Sequence, residues 1–490
     1  MTVLNFIVLL PILNALAIAF GAPARKSALL SAWTQLILTL FAIAGYNTAK
    51  GGYQFGSTWQ VAPDWGIAFT LGADGLSLVM LLLTAVVTLA AVWATPRIEK
   101  RENLFFVCVL LISAGAAGAF ASVDLFFFYA FHELALIPTF LLIGIWGHGE
   151  RQVAAWKTTI YLAVGSIILL VGIAKLYLAF PVEARTFDLT VMQANRALIP
   201  ADAQAGIYIW LLIGFGILIS LFPFHSWAPL AYASAPTPAA MLHAGVLKKF
   251  GLYGLIRVAL PLLPEGAKAW ANLLLVLLVC NILYIGLVTI AQKRLDWMLG
   301  YSSVMHMGYA FLGIAAANVV GVTGAALLML AHGLSIAALF AMCGHLRQTT
   351  PSLAFTSMGG LAKRAPFLGY AFGMAAFASI GLPGFANFAS ELMVFFGAWK
   401  TGGATLNFGP VQIATICALW GVVISAVYML RAYRQMFQGE PHDNTAAVTD
   451  PACCTRWAVL ILLAALLVGG LWPKSYVNFI QPSVEALFAK

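Results

Sequence analysis

Charge is what this chain has least of. Only 9% of its 490 residues are Asp, Glu, Lys or Arg, against about 25% in an ordinary soluble domain. A soluble protein that poor in charge could not cover its own surface, so a soluble globular fold is excluded. Cysteine is also scarce. The six cysteines are scattered, mostly inside apolar runs, and Cys453–Cys454 is a lone vicinal pair. That spacing gives neither a disulfide framework nor a metal site. No motif for a flavin, an iron–sulfur cluster or a quinone is present, and no tract is of low complexity. The N-terminal stretch has no basic residue before its apolar core, and Arg25 and Lys26 follow it instead. This is not the pattern of a secretory signal. It predicts a first transmembrane helix with its N-terminus outside.

What the chain has in plenty is apolar sequence, 62% of the total. It falls into about fourteen runs, each near the roughly 20 residues that span a bilayer. They lie near 3–20, 28–46, 74–94, 104–121, 125–146, 158–180, 206–223, 238–262, 270–290, 298–318, 322–343, 366–399, 411–430 and 457–472. The predicted fold class is therefore an all-α polytopic membrane protein. The net charge of +9 does not point to nucleic acid, because the basic residues sit in short loops. When sides are alternated, Arg25, Lys26, Arg97, Lys100, Arg101, Arg151, Lys157, Lys293, Arg294, Arg347, Lys363, Arg364, Arg431, Arg434 and Arg456 share one side. Mainly Lys50, Arg185, Arg196, Lys268 and Lys400 fall on the other. By the positive-inside rule the first side is cytoplasmic. An even number of spans then leaves both termini on the outer, periplasmic side of an inner (cytoplasmic) membrane.

Two runs look broken. The seventh ends in LFPFHSWAPLAYASAPTPAAM, with four prolines from Pro223 to Pro238. The twelfth holds Gly381, Pro383 and Gly384 in SIGLPGFANFASEL. Proline removes a backbone donor and clashes with the preceding turn. Such a break survives at membrane depth only where protein or a cavity satisfies the freed groups. Ordinary proline kinks would leave the same residues. The matched positions, five segments apart, favour two inverted five-helix repeats, each with a discontinuous helix. The expected organisation is N-terminal helices over 1–103 and a first repeat over 104–262, holding an uptake half-channel. A second repeat over 270–434 holds an exit half-channel, and a loop with a last transmembrane helix covers 435–490.

Charges inside these runs are costly, about 2.5–3.5 kcal/mol each at a helix centre on insertion scales. Glu133 lies near the centre of segment 5, Lys248 and Lys249 near the middle of segment 8. Glu391 follows the break in segment 12, and His306 and His332 lie in segments 10 and 11. An intramembrane histidine can simply bond two helices together, and Glu391 could cap a half-helix. Lys248 and Lys249 point about 100° apart, which predicts that one of them faces the interior. Glu133 has no break beside it to cap. Together these groups outline a line along which protons hop through water, whereas a metal-cation site would gather several oxygen ligands.

At these residues the chain resembles a known family, the antiporter-like membrane subunits of respiratory complex I (NADH–quinone oxidoreductase). These are similar to the large subunits of Mrp-type cation/proton antiporters. FHELALIPTFLLIGIWG, LKKFGLYGLIR, YSSVMHMGY, AHGLSIAALF and GLPGFANFASELMVFFG carry the likeness, which covers roughly segments 3 to 13 and is greatest to the subunit M branch. The resemblance implies a proton pathway through Glu133, Lys249, His306, His332 and Glu391. Lys249 is chosen over Lys248 because the family lysine precedes Tyr by four residues and Arg by eight, here Tyr253 and Arg257. His225 matches the histidine of the segment-7 break. PTPAAMLHAG, with His243, looks more like subunit L or the Mrp type than like M. The likeness also implies a hetero-oligomer with other membrane subunits, and NADH, FMN, iron–sulfur clusters and quinone held by partners rather than by this chain.

The chain departs from the family in places. A lysine five residues before the proline of the segment-7 break reads Leu218, so Glu133 lacks its usual partner. Lys175 of segment 6 lies near the outer end, where it can snorkel, and is a poor replacement. PDAH reads PLAY, Pro229 to Tyr232, and a basic pair reads Asp296–Trp297. Two other functions fit parts of this pattern: a transporter subunit of an Mrp-type sodium/proton antiporter, and a structural subunit that no longer pumps.

Overall fold

A computed structural model of the chain describes residues 2–401 and 408–488; residues 1, 402–407 and 489–490 of the expected domains lie outside the described residues. The helices in chain order are α1 (Val3–Ala19), α2 (Ala24–Gly45), α3 (Gly75–Ala94), α4 (Glu102–Ala121), α5 (Leu125–Trp146), α6 (Arg151–Leu178), α7 (Leu189–Ala194) and α8 (Ala201–Ile219). Then follow α9 (Trp227–Ser234), α10 (Thr237–Leu242), α11 (Lys249–Gly254), α12 (Leu260–Leu262), α13 (Pro264–Val279), α14 (Ile285–Ala291), α15 (Leu295–Ala315) and α16 (Val319–Thr349). The last are α17 (Leu361–Arg364), α18 (Pro366–Ile380), α19 (Ala386–Lys400), α20 (Pro410–Phe437), α21 (Cys453–Leu471) and α22 (Lys474–Phe488).

Among the described residues, ten helices are long and apolar enough to cross a membrane. The apolar runs outside that set are shorter helices, broken pairs, or α15, whose serines, histidine and aspartate dilute its hydropathy. The membrane-length windows of α16 and α3 are the most deeply buried, so these two form the axis of the bundle. The outer faces of α2, α5, α6, α20 and α21 stay apolar, as a lipid-facing or subunit-facing helix requires.

Short loops tie the two ends of the bundle. At the basic end, Arg25 bonds the Thr95 carbonyl, Trp146 the Lys100 carbonyl and His345 the Thr449 carbonyl. At the opposite end lies an element absent from the expected all-helical N-terminal block of 1–103. Strands β1 (Gln54–Ala62) and β2 (Ile67–Ala73) form an antiparallel hairpin. The run is too short and polar to span, and its backbone pairs with itself. The hairpin docks through Val123 N to Thr70 O (3.0 Å) and Phe187 N to Gly66 O (3.1 Å). The second addition is α22, beyond the expected last transmembrane helix. It buries Ile480, Ser483, Val484 and Leu487, a 3–4 spacing that lays one face on the bundle. Its Phe479 carbonyl lies against Gly75.

Both predicted breaks are present and share one geometry. Helix α8 ends at Ser220 with φ 71°, and α18 ends at Gly381 with φ 83°. Past each, an amide bonds back five residues, Leu221 N to Gly216 O (2.7 Å) and Leu382 N to Phe377 O (3.1 Å), which is the Schellman closure. A second pair of matching motifs opens α5 and α15. Leu125 N bonds Phe187 O and Leu189 N bonds Val123 O, while Leu295 N bonds Leu353 O and Phe355 N bonds Lys293 O. Helix α5 is capped by Asp124, which accepts from Phe126 N and Phe127 N. The eighth segment is interrupted by two π-helical turns, His243–Leu247 and Leu255–Ala259. The ninth carries one at Cys280–Tyr284.

Candidate functional site: a buried line of titratable side chains

The breaks set the stage, because each frees backbone groups that side chains of the second half satisfy. Asn281 accepts from Phe222 N (2.6 Å) and donates to Ser220 O (3.3 Å). His306 Nε2 lies 2.8 Å from Ser379 O. Side chains thus replace the missing turns, as the low-dielectric interior demands.

Lys249 is fully buried, and its Nζ lies 2.6 Å from the Ala244 carbonyl in the π-turn and 2.9 Å from His332 Nδ1. The π-turn shifts the backbone pairing to five residues, Lys248 N to His243 O, and such turns recur at functional sites. The His332 and His306 rings follow at 5.6 Å between centroids. His306 Nδ1 lies 2.8 Å from Ser302 O. Both its nitrogens therefore face carbonyl oxygens. Ser379, which receives His306, stands two residues before Gly381, and the Glu391 carboxyl lies against Gly381. Glu391 is in the second turn of α19 and is buried, with Oε1 unpaired by any described side chain. The position does not suit an N-cap, whose side chain bonds the first turn. Lys249, His332 and His306 thus form one contiguous set, and the second break carries it toward Glu391.

Glu133 stands apart from this set. Its Oε1 accepts a short hydrogen bond from Ser166 Oγ, which is also 3.2 Å from Tyr129 OH. His132 Nδ1 is 3.7 Å away. The His132 ring stacks on Phe250 at 4.1 Å, and Phe250 is the neighbour of Lys249. Ile217 and then Leu218 fill the space beside Gly165, one residue from Ser166. A serine, a tyrosine and a histidine thus surround the acid where the family places a lysine. His132 was readable in FHELA; Ser166 and Tyr129 carry no signal of their own.

The expectation that one lysine of the pair faces the interior does not hold. Every residue from Pro238 to Leu263 is buried, so no side of this segment is exterior. Lys248 Nζ lies 3.3 Å from Ser303 O and 3.4 Å from Ser303 Oγ, and 5.4 Å over the Tyr232 ring. Tyr232 OH in turn lies 3.4 Å from His243 Nδ1. Lys248, Tyr232 and His243 form a second cluster. His225 sits in the first break, stacked on Phe222 at 5.8 Å. Lys175 is exposed and lies over Trp210 at 5.8 Å. It is nine residues from Ser166, or about 13 Å along α6, and does not reach Glu133.

At the basic end a cavity of about 380 Å³ is lined by His148, Glu150, Ser234, Arg294, Asp296 and Arg347 among others. Asp296 accepts from Arg294 Nη2 (2.8 Å) and Arg347 Nη2 (3.0 Å). The Asp296 hydrogen bond raises the Arg294 guanidinium further. Burial, then Arg347 and Arg151, lower the His148 imidazole. Among the described residues no three His, Cys, Asp or Glu side chains converge as metal ligands.

The profile of the family described as NADH:quinone oxidoreductase/Mrp antiporter, TM, matches residues 122–416, the part of the chain that holds the whole buried line. The chain belongs to that family. Among relatives of the NADH:quinone oxidoreductase/Mrp antiporter family is an NAD(P)H-quinone oxidoreductase chain 4 of a Synechococcus strain, 35% identical, with 95% of this chain and 86% of the relative aligned. A NADH-quinone oxidoreductase subunit M of Rickettsia felis is 32% identical over 100% of this chain and 99% of its own. Among solved structures, a chain of respiratory complex I from Thermus thermophilus with bound NADH superposes with a TM-score of 0.90 at 29% identity, covering 99% and 98% of the two chains. A chain of the Mrp complex from Dietzia shares the fold at a TM-score of 0.85 and 20% identity, covering 100% and 98%.

Proposed function

We propose that this chain is a proton-translocating membrane-arm subunit of a complex I-like NADH–quinone oxidoreductase. Protons move along Glu133, Lys249, His332, His306 and Glu391, coupled to redox chemistry in partner subunits. The observation that carries this reading is the 2.9 Å approach of Lys249 to His332, continued by His306, inside apolar helices. An ammonium and two imidazoles at such spacing exchange protons directly or through single waters. The redox groups (NADH, FMN, iron–sulfur clusters, quinone) belong to partners, and this chain supplies none. Its charge distribution supports both termini outside an inner membrane. The matched breaks and matched helix-opening bonds support fourteen spans with two inverted five-helix repeats, over 104–262 and 270–434.

Leu218 favours a second reading, a structural subunit that has lost pumping, because the cation that would modulate Glu133 is missing. One experiment separates them. The assembled complex is purified, its partners are identified by mass spectrometry, and proton uptake is measured in proteoliposomes with and without Lys249→Ala. Hydrophilic redox partners and a loss of pumping support the proposal. Mrp partners, or unchanged pumping, overturn it.

A further inference from the structure

Lys249, Tyr253 and Arg257 are spaced four residues apart on one segment, so they follow one another toward the hairpin end, about 6 Å apart along the axis. Tyr253 OH lies 2.8 Å from Ser77 Oγ and 3.1 Å from Phe120 O. The Arg257 guanidinium lies between two phenol rings, 5.3 Å from Tyr253 and 5.4 Å from Tyr53. It is paired with Asp74 through a short contact, and the Arg257 and Asp74 side chains are 2% and 5% exposed. Asp74 is also the N-cap of α3, accepting from Ser77 N at 2.9 Å. Phe120 packs edge-on against Tyr253 at 5.2 Å and Phe128 lies tilted against it at 6.0 Å. The α22 helix closes the site from outside, with Ser483 accepting from Leu76 N (3.4 Å).

Tyr253, Ser77, Arg257 and Asp74 make a polar path that begins one turn beyond Lys249 and runs to the hairpin end. A proton on Lys249 could leave along it without ever reaching His332. We propose that the Asp74–Arg257 pair is an electrostatic plug that closes the hairpin end of the first half to protons. The inference rests on Lys249 belonging to the proton line. The guanidinium keeps its charge at all accessible pH and repels an incoming cation, as arginine does in proton-excluding pores. The positive N-terminal end of α3 points at the same place. Asp74 offsets the charge and so makes burial of the arginine affordable, while its pairing removes it as a proton acceptor. The apolar collar of Phe120 and Phe128 leaves little room for bulk water.

The test uses the assembled complex in liposomes loaded with a pH-sensitive dye, under an imposed potassium-diffusion potential, with no redox substrate. Arg257→Met leaves Asp74 as an unpaired acid in the path, and passive proton flux should rise about ten-fold or more. Asp74→Asn removes the acid but keeps the guanidinium, and flux should stay at the wild-type level. Arg257→Gln replaces Arg257→Met if the latter does not assemble, with the same expectation. A tight Arg257→Met overturns the plug, and so does an Asp74→Asn as leaky as Arg257→Met, since packing damage would then explain both. Lys249→Ala separates the two levels. If it pumps like wild type, the proton line itself fails. If it is inactive while Arg257→Met is tight, the plug alone fails.

Discussion

Lys249 Nζ and His332 Nδ1 meet at 2.9 Å between two segments that are buried on every side. Neither has another described side chain as a polar partner, and His332 Nε2 is unpaired among the described residues. The lysine can hand a proton to a ring whose other nitrogen is free to pass one on.

Lys248 has no such acceptor. Its partners are a carbonyl and a hydroxyl of Ser303, which hold an ammonium in place without taking its proton. Lys249→Ala should therefore lower pumping per assembled complex by about ten-fold or more, and His332→Asn should do nearly as much. Lys248→Ala should lower the yield of assembled complex more than the pumping of what assembles. Dye-quenching rates normalised to assembled complex decide this, and equal pumping losses in the two lysine variants would show that the Lys249–His332 contact is not the transfer step.

Gly381 joins backbone and chemistry. Its φ of 83° is left-handed, and an added Cβ would collide with the Glu391 carboxyl. Gly381→Ala should cost about 1–2 kcal/mol of strain and also displace the acid. Gly384, φ 101°, has open space around its Cα, so alanine there brings strain alone. Both variants should unfold at lower temperature, but only Gly381→Ala should lower pumping per complex. Equal pumping in the two would remove Glu391 from the line.

Restoring the family pattern tests the other end. Leu218, with Ile217, packs beside Gly165, and Ser166 carries the bond to Glu133. In Leu218→Lys an ammonium should approach the acid and compete with that serine. An infrared carboxyl signal identified by its loss in Glu133→Gln should shift in Leu218→Lys and in Ser166→Ala. If Ser166→Ala leaves the signal unmoved, the serine does not hold the acid.

Much of this was legible in the sequence, and the exceptions have physical reasons. Apolar runs define spans because a bilayer enforces length, and Pro223 and Pro383 mark breaks because proline cannot continue a helix. The family's spacing to Tyr and Arg, here Tyr253 and Arg257, pointed to Lys249 as the pathway lysine. The π-turn at His243–Leu247 has no compositional mark. The interior position of Lys248 was missed because a 100° separation decides exposure only on a helix with an exposed side. The hairpin of 54–73 and α22 were missed because a search for spanning runs passes over short amphipathic elements that lie across the ends. The matching bonds at Leu125 and Leu295 could not be seen either, since they are made by backbone.

Asp296, where the family has a basic residue, is 1% exposed and holds Arg347 and Arg294 together. Removing Asp296 leaves two arginines without their acid, Arg347 17% and Arg294 51% exposed, so the cost falls between the ~1 kcal/mol of an exposed pair and the ~3 kcal/mol of a buried one. Asp296→Asn should lower the unfolding temperature of the complex in detergent, and Asp296→Asn/Arg347→Gln should recover part of the loss. No recovery would mean that the aspartate acts through the helix start, where it also accepts from Trp297 N, and not through the arginine.

His148 lines the same cavity, in the loop after α5, and gives that face a pH dependence. Burial and the nearby Arg347 and Arg151 lower its imidazole below the ordinary 6.5, with Asp296 acting in the opposite sense. A group whose folded value is lowered binds fewer protons in the folded state, so the unfolded chain gains protons first as pH falls. Stability is therefore whole above about pH 6.5 and is lost as pH falls below it. His148→Asn removes the group. At pH 7.5 the unfolding temperatures of wild type and variant should be alike. Toward pH 5.5 the wild type should fall more steeply, by a small margin because the ring is partly in water. Parallel curves, or a steeper fall in the variant, would show that His148 is free of its arginine neighbours.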